Sequence, residues 1–194
     1  MRVDYREHFP KGMAALVSLE DALGESPLEP ALLELVRVRA SQINGCAYCL
    51  AMHTRDARAR GENQVRLDTV AAWRETPFFS ERERAALAWC ESLTDLAHAG
   101  APAEDYARIE AVFSPKEVAA LTFAVAAINN WNLLAVGLGA AVPRLAGREA
   151  PSTPPASHAR ATRKPPPAWP AGFPPPTTIT DCPPQRRASR SVAA

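Results

Sequence analysis

Between Glu34 and Gly61 the chain reads ELVRVRASQINGCAYCLAMHTRDARARG, and four of these residues, Glu34, Cys46, Cys49 and His53, suit thiol chemistry by type and spacing. A step of three between the cysteines and a step of four to the histidine place all three on one helical face, a turn apart. Glu34 lies on the preceding helical stretch, across a short Asn44-Gly45 turn. At a rise of ~1.5 Å per residue, Glu34 is ~13 Å before the turn and His53 ~10 Å after it. Antiparallel packing would then bring carboxylate and imidazole together, directly or through one water.

The chemistry such a relay serves is thiolate generation. An ordinary thiol is mostly protonated at neutral pH, and only the thiolate attacks a peroxide or a disulfide. A helix N-terminus stabilises negative charge on Cys46, whereas Cys49 can pass its proton to His53, with Glu34 orienting the ring. The residues alone leave open which cysteine attacks. The other then traps the product as an internal disulfide and prevents overoxidation. The same donors also suit tetrahedral zinc. Structural zinc sites usually draw a second close ligand pair from elsewhere, and only one glutamate is offered here, but on the residues alone redox chemistry and metal binding stand nearly even.

The elements that must position these residues read as helices throughout. Pro10 starts one that ends at Gly24, and Pro30 starts a second, rich in Leu and Val, that stops at Gly45. A third begins at or near Cys46 and ends at Gly61. A fourth runs from Asn63 to about Trp73, and Ser80 with Glu83 marks a capping box for a fifth reaching about His98. A sixth covers about Ala103 to Val112, and Ser114, Pro115 and Glu117 open a seventh. No long alternation of polar and apolar residues marks a strand, and no Asn-Gly or Asp-Gly pair sits between two such stretches as a hairpin turn would. The fold class expected is all-α, with six to seven helices.

Composition divides the chain near residue 145. Twelve of the 19 prolines and seven of the 22 basic residues lie in 146–194, against only two acids there. Such a segment cannot bury enough apolar surface to offset its ordering entropy, so 146–194 is expected to be a disordered Pro/Arg-rich tail. The remaining domain, 1–145, carries 15 basic and 19 acidic residues, which argues against a nucleic-acid-binding face. The opening MRVDYREHFPKG lacks the apolar core of a signal peptide, so the thiols are expected in the reducing cytoplasm.

From Val118 to Pro143 no residue is charged, a length that could span a bilayer. Asn129, Asn130 and Asn132 at its centre make that costly, so a core or interface helix is expected and no membrane. The three amides and Trp131 are expected to be buried, the amides satisfying one another across an interface. Cys90, in LAWCESL, reads as a small buried hydrophobe. Cys182 reads as an exposed thiol of the tail, and His98 as a partner for the last carbonyls of its helix. Arg37 and Arg39 either solvate a helix face or pair with Glu34 or an anionic substrate.

Glu, eleven residues, then Cys-x-x-Cys-x-x-x-His resembles the alkylhydroperoxidase D-like (AhpD-like) branch of the carboxymuconolactone decarboxylase superfamily. ASQINGCAYC (Ala40 to Cys49) and AINNWN (Ala127 to Asn132) are similar to a common subgroup of that branch. The resemblance covers about 1–140 and none of the tail. It implies an all-α homo-oligomer, a trimer or hexamer, with peroxiredoxin-type activity and no heme, flavin or other cofactor. It also implies a hydroperoxide substrate, an external thiol or dithiol reductant, Cys49 as the peroxidatic residue and Cys46 as the resolving one, with His53 and Glu34 as proton relay. Two departures stand out: Tyr48 replaces a second histidine found in some members, and Leu133 replaces an arginine common in the subgroup. A phenol is a poor proton carrier at neutral pH, so the relay here would be shorter. Rival readings are a general disulfide reductase, a muconolactone decarboxylase, which would not need the cysteine pair, and a non-catalytic redox-sensing or partner-binding protein that uses its tail.

Overall fold

The computed structural model describes residues 1–142; the tail expected beyond residue 145, with Cys182, lies outside the described residues. Among the described residues the chain is all-helical, with no strand. The α-helices are α1 (Tyr5–His8), α2 (Pro10–Gly24), α3 (Pro30–Ile43), α4 (Ala47–Ala59), α5 (Gln64–Thr69), α6 (Glu81–Thr94), α7 (Leu96–Ala99), α8 (Ala103–Glu110) and α9 (Pro115–Leu138), and a 3-10 helix covers Val70–Glu75. The seven expected helices are all present with nearly the expected starts. The larger count has three local causes. Asp4 caps an extra turn at the N-terminus. The fourth helix tightens to 3-10 geometry at Val70, and the fifth breaks at Asp95, whose backbone (φ −104°, ψ 45°) leaves the helical region.

Helix α3 is the centre of the domain. Leu32, Leu33, Leu35, Val36, Val38 and Ala40 are all buried on it, because it is enclosed by α4, α6 and α9. A helix covered on several sides needs no polar stripe, which explains its apolar sequence. Two clusters of apolar side chains form on either side of it. The larger joins Leu33, Val36, Trp89, Leu121, Val125 and Ile128, and the smaller joins Leu35, Val38, Leu67, Val70, Trp73 and Phe79. Each fully buried leucine or isoleucine contributes about 1.5–3 kcal/mol.

Both expected capping boxes form: Ser80 with Glu83, and Ser114 with Glu117. Hydrogen bonds from Ser114, helped by Arg82, hold the pKa of the half-buried Glu117 carboxyl down at about 2. The second box fixes the start of α9, the one described helix with the length and apolarity to cross a bilayer. It packs instead on α2, α3, α4, α6 and α8, and Asn132 is buried within that packing.

Candidate active site

The turn between α3 and α4 builds the site. Gly45 takes φ +64°, a conformation open to glycine and strained for most other residues, which lets α4 fold back along α3. Cys46 is the N-cap of α4 and its sulfur accepts from the Cys49 N–H at 3.3 Å. The two cysteines are joined as a disulfide, their Cα atoms 5.4 Å apart, and both are buried. His53 follows Cys49 one turn along the same helix and is also buried.

The return of α4 along α3 brings His53 to Glu34. His53 Nδ1 lies 2.9 Å from Glu34 Oε2, a direct contact with no intervening water. Burial pushes the Glu34 carboxyl up, but the hydrogen bond and charge of His53, together with Arg37, outweigh it and hold the group below its ordinary value. An ionised carboxylate can only accept, so Nδ1 carries the hydrogen and Nε2 is left as the basic nitrogen. Glu34 Oε1 accepts from Arg37 Nη1 at 2.9 Å, so Arg37, considered from the sequence as a partner for Glu34, is that partner. Arg39 faces elsewhere and donates to Glu91 at 2.6 Å.

A cavity of about 260 Å³ opens onto Cys49 but not Cys46. Its walls are Tyr5 and Arg6 of α1, Tyr48 and Met52 of α4, and Trp131 and Ala135 of α9, among others. Trp131 is therefore half-buried rather than fully enclosed, with its indole N–H donating to Glu20 Oε1 at 2.9 Å. Sequence reasoning missed Glu20, Tyr5 and Arg6, whose separation from the motif leaves no periodic signal, and Met52, which lies within the motif but carries no titratable or nucleophilic group to mark it.

The asparagine cluster is resolved within one chain rather than across an interface. Asn44 Nδ2 donates to Asn129 Oδ1 (2.7 Å) and to Asn132 Oδ1 (2.9 Å), and Asn132 Nδ2 donates to Ser41 Oγ at 3.1 Å. These bonds tie the α3–α4 turn to α9. Asn130 is exposed and binds only its own helix. Cys90 is fully enclosed, and burial pushes its thiol up to about 12, as expected of an inert core residue. His98 pairs with the Asp95 carboxylate at 2.6 Å, not with helix carbonyls. Among the described residues no group of three His, Cys, Asp or Glu side chains is arranged to hold a metal ion.

Comparison with known proteins agrees with this architecture. Residues 10–92 match the carboxymuconolactone decarboxylase family. The chain is 36% identical over 138 residues to the uncharacterized protein YdfG of Bacillus subtilis, covering 71% of this chain and 94% of that one. A crystal structure from Agrobacterium tumefaciens, of a protein of unknown function provisionally assigned as the antioxidant defence protein AhpD, is 37% identical with a TM-score of 0.72, covering 74% of this chain and 99% of that one. The chain belongs to the carboxymuconolactone decarboxylase family, in its AhpD-like branch. The debrominase Bmp8, at 18% identity, TM-score 0.63 and coverage of 69% and 72%, shares the fold alone.

Proposed function

We propose that the protein is a thiol-dependent hydroperoxide reductase that cycles between the Cys46/Cys49 dithiol and its disulfide. The observation that carries the reading is the convergence of a linked cysteine pair, a carboxylate-ordered imidazole one turn from Cys49, and a cavity that opens on Cys49. In this reading His53 Nε2 takes the Cys49 proton, and the thiolate attacks the distal peroxide oxygen. Cys49 becomes a sulfenic acid and the alcohol leaves with a proton. Cys46 then attacks that sulfur, forms the disulfide and releases water. A thiol or dithiol reductant of small cross-section restores the pair.

The cavity favours a compact organic hydroperoxide over a protein disulfide, because both cysteines are 1% exposed and Cys49 lines a cavity of only about 260 Å³. That argues for a peroxidase over a general disulfide reductase. The expected trimer or hexamer belongs to the same proposal: it would cover the α9 face on which Phe123, Leu133 and Val136 stand exposed. The testing experiment is trapping with a sulfenic-acid reagent. Cys46→Ser treated with cumene hydroperoxide should yield one adduct, at Cys49, and Cys49→Ser should yield none. An adduct at Cys46 in Cys49→Ser, with none at Cys49 in Cys46→Ser, would reverse the assignment.

A further inference from the structure

The Glu34–His53 pair does not end at Glu34. Arg37 bridges two carboxylates, giving Nη1 to Glu34 Oε1 at 2.9 Å and Nη2 to Glu20 Oε2 at 2.6 Å. The second Glu20 oxygen accepts from the indole of Trp131, which walls the Cys49 cavity. Hydrogen bonds thus run from the cavity wall through α2 and α3 to the imidazole beside Cys49. Arg37 is only 14% exposed, so its guanidinium is held by these contacts rather than by solvent. Four helices contribute, α9, α2, α3 and α4, and nothing in the cysteine motif requires Arg37 or Glu20.

We propose that Arg37 and Glu20 are positioning residues of the relay: Arg37 orients and partly neutralises Glu34, and Glu20 offsets Arg37 from behind. The proposal rests on the peroxidase reading for its purpose but not for its test. The sign of each effect is set by the charges. Arg37, bonded to the Glu34 oxygen that His53 does not use, lowers the tendency of the pair to hold a proton. Glu20 opposes this and keeps the pair from becoming too weak a base. The other groups facing the pair do not compete for these roles. On α4, Cys49 lies one turn before His53; α9 is uncharged from Val118 to Leu138; Arg39 on α3 is taken by Glu91 of α6. At the cavity mouth Tyr5 and Arg6 of α1 and Tyr48 of α4 are the titratable groups, and Arg6 is bonded by Asp4.

The test is the titration of His53 in the reduced full-length protein, monitored by the imidazole NMR resonances of a chain with four histidines. Arg37→Met should raise the apparent pKa of the pair by roughly one unit and Glu20→Gln should lower it by roughly half a unit. Arg37→Lys, which keeps the charge, should stay close to the parent value. General loosening of the fold would move both variants the same way, so opposite signs are diagnostic. Shifts of one sign, or none beyond about 0.2 units in folded Arg37→Met and Glu20→Gln, would overturn the proposal. The acid limb of hydroperoxide-driven disulfide formation should move with the titration. Opposite NMR shifts in a protein inert to hydroperoxide would sink the peroxidase reading while leaving this arrangement standing.

Discussion

Replacing Glu34 with glutamine keeps shape and removes charge, and the hydrogen-bond geometry around the carboxylate sets the outcome. That carboxylate accepts two bonds of 2.9 Å, one from His53 and one from Arg37. A glutamine has one acceptor oxygen for two donors. If that oxygen faces His53, the amide N–H₂ meets the Arg37 guanidinium, donor against donor. If it faces Arg37, the amide must donate to Nδ1, which moves the ring proton to Nε2 and abolishes the base beside Cys49. Arg37 retains Glu20 at 2.6 Å, so it is not left wholly unpaired. The stability loss should therefore be that of one compromised buried hydrogen bond, about 1–3 kcal/mol. Disulfide formation should slow by about 10²-fold, the low end for a lost acid–base function. Denaturant unfolding measures the first quantity, and stopped-flow oxidation of the reduced protein by cumene hydroperoxide measures the second. A variant that loses the stability but oxidises within about threefold of the parent would show that Glu34 merely braces α3 against α4.

Other consequences can be checked in the same preparations. His53→Ala should slow peroxide-driven oxidation by about 10²-fold, read by the same stopped-flow assay; an unchanged rate would remove His53 from the mechanism. Asn132→Ala should cost about 1–3 kcal/mol in denaturant melts, since it strips partners from Ser41 and Asn44. Glu34, Glu83 and Glu91 all sit below their ordinary value of 4.5 because pairing outweighs burial. Their stabilisation is present above that pH and lost as pH falls through the folded values, so Tm should drop on acidification below about 4.5. Glu34→Gln should flatten part of that slope. Cys90 should resist alkylation at neutral pH in the native state, by mass spectrometry, and react fully only on unfolding.

Much of this was legible in the chain because the signals are local. Pro10, Pro30 and Pro115 start helices, the Ser80 and Ser114 boxes cap them, and the Cys46, Cys49, His53 steps require only helical periodicity. Even the Glu34–His53 contact could be reached from helix rise and a two-residue turn. What stayed hidden depends on packing between distant segments. Glu20 stands beside Asp21 on α2 with no pattern to tell the two acids apart, and its bond to Trp131 spans 111 positions. The amide cluster was expected to satisfy itself across an interface because its partners Ser41 and Asn44 carry no pattern that links them to α9. The breaks at Val70 and Asp95 are backbone adjustments that residue types do not announce.

The most direct test of the central claim is a thiol count on reduced, metal-free protein before and after one equivalent of an organic hydroperoxide. Loss of two thiols per chain, reversed by a dithiol, cut to one in Cys46→Ser and to none in Cys49→Ser, is the predicted result. An undiminished count would contradict the dithiol–disulfide cycle and leave the buried pair without a peroxidase role.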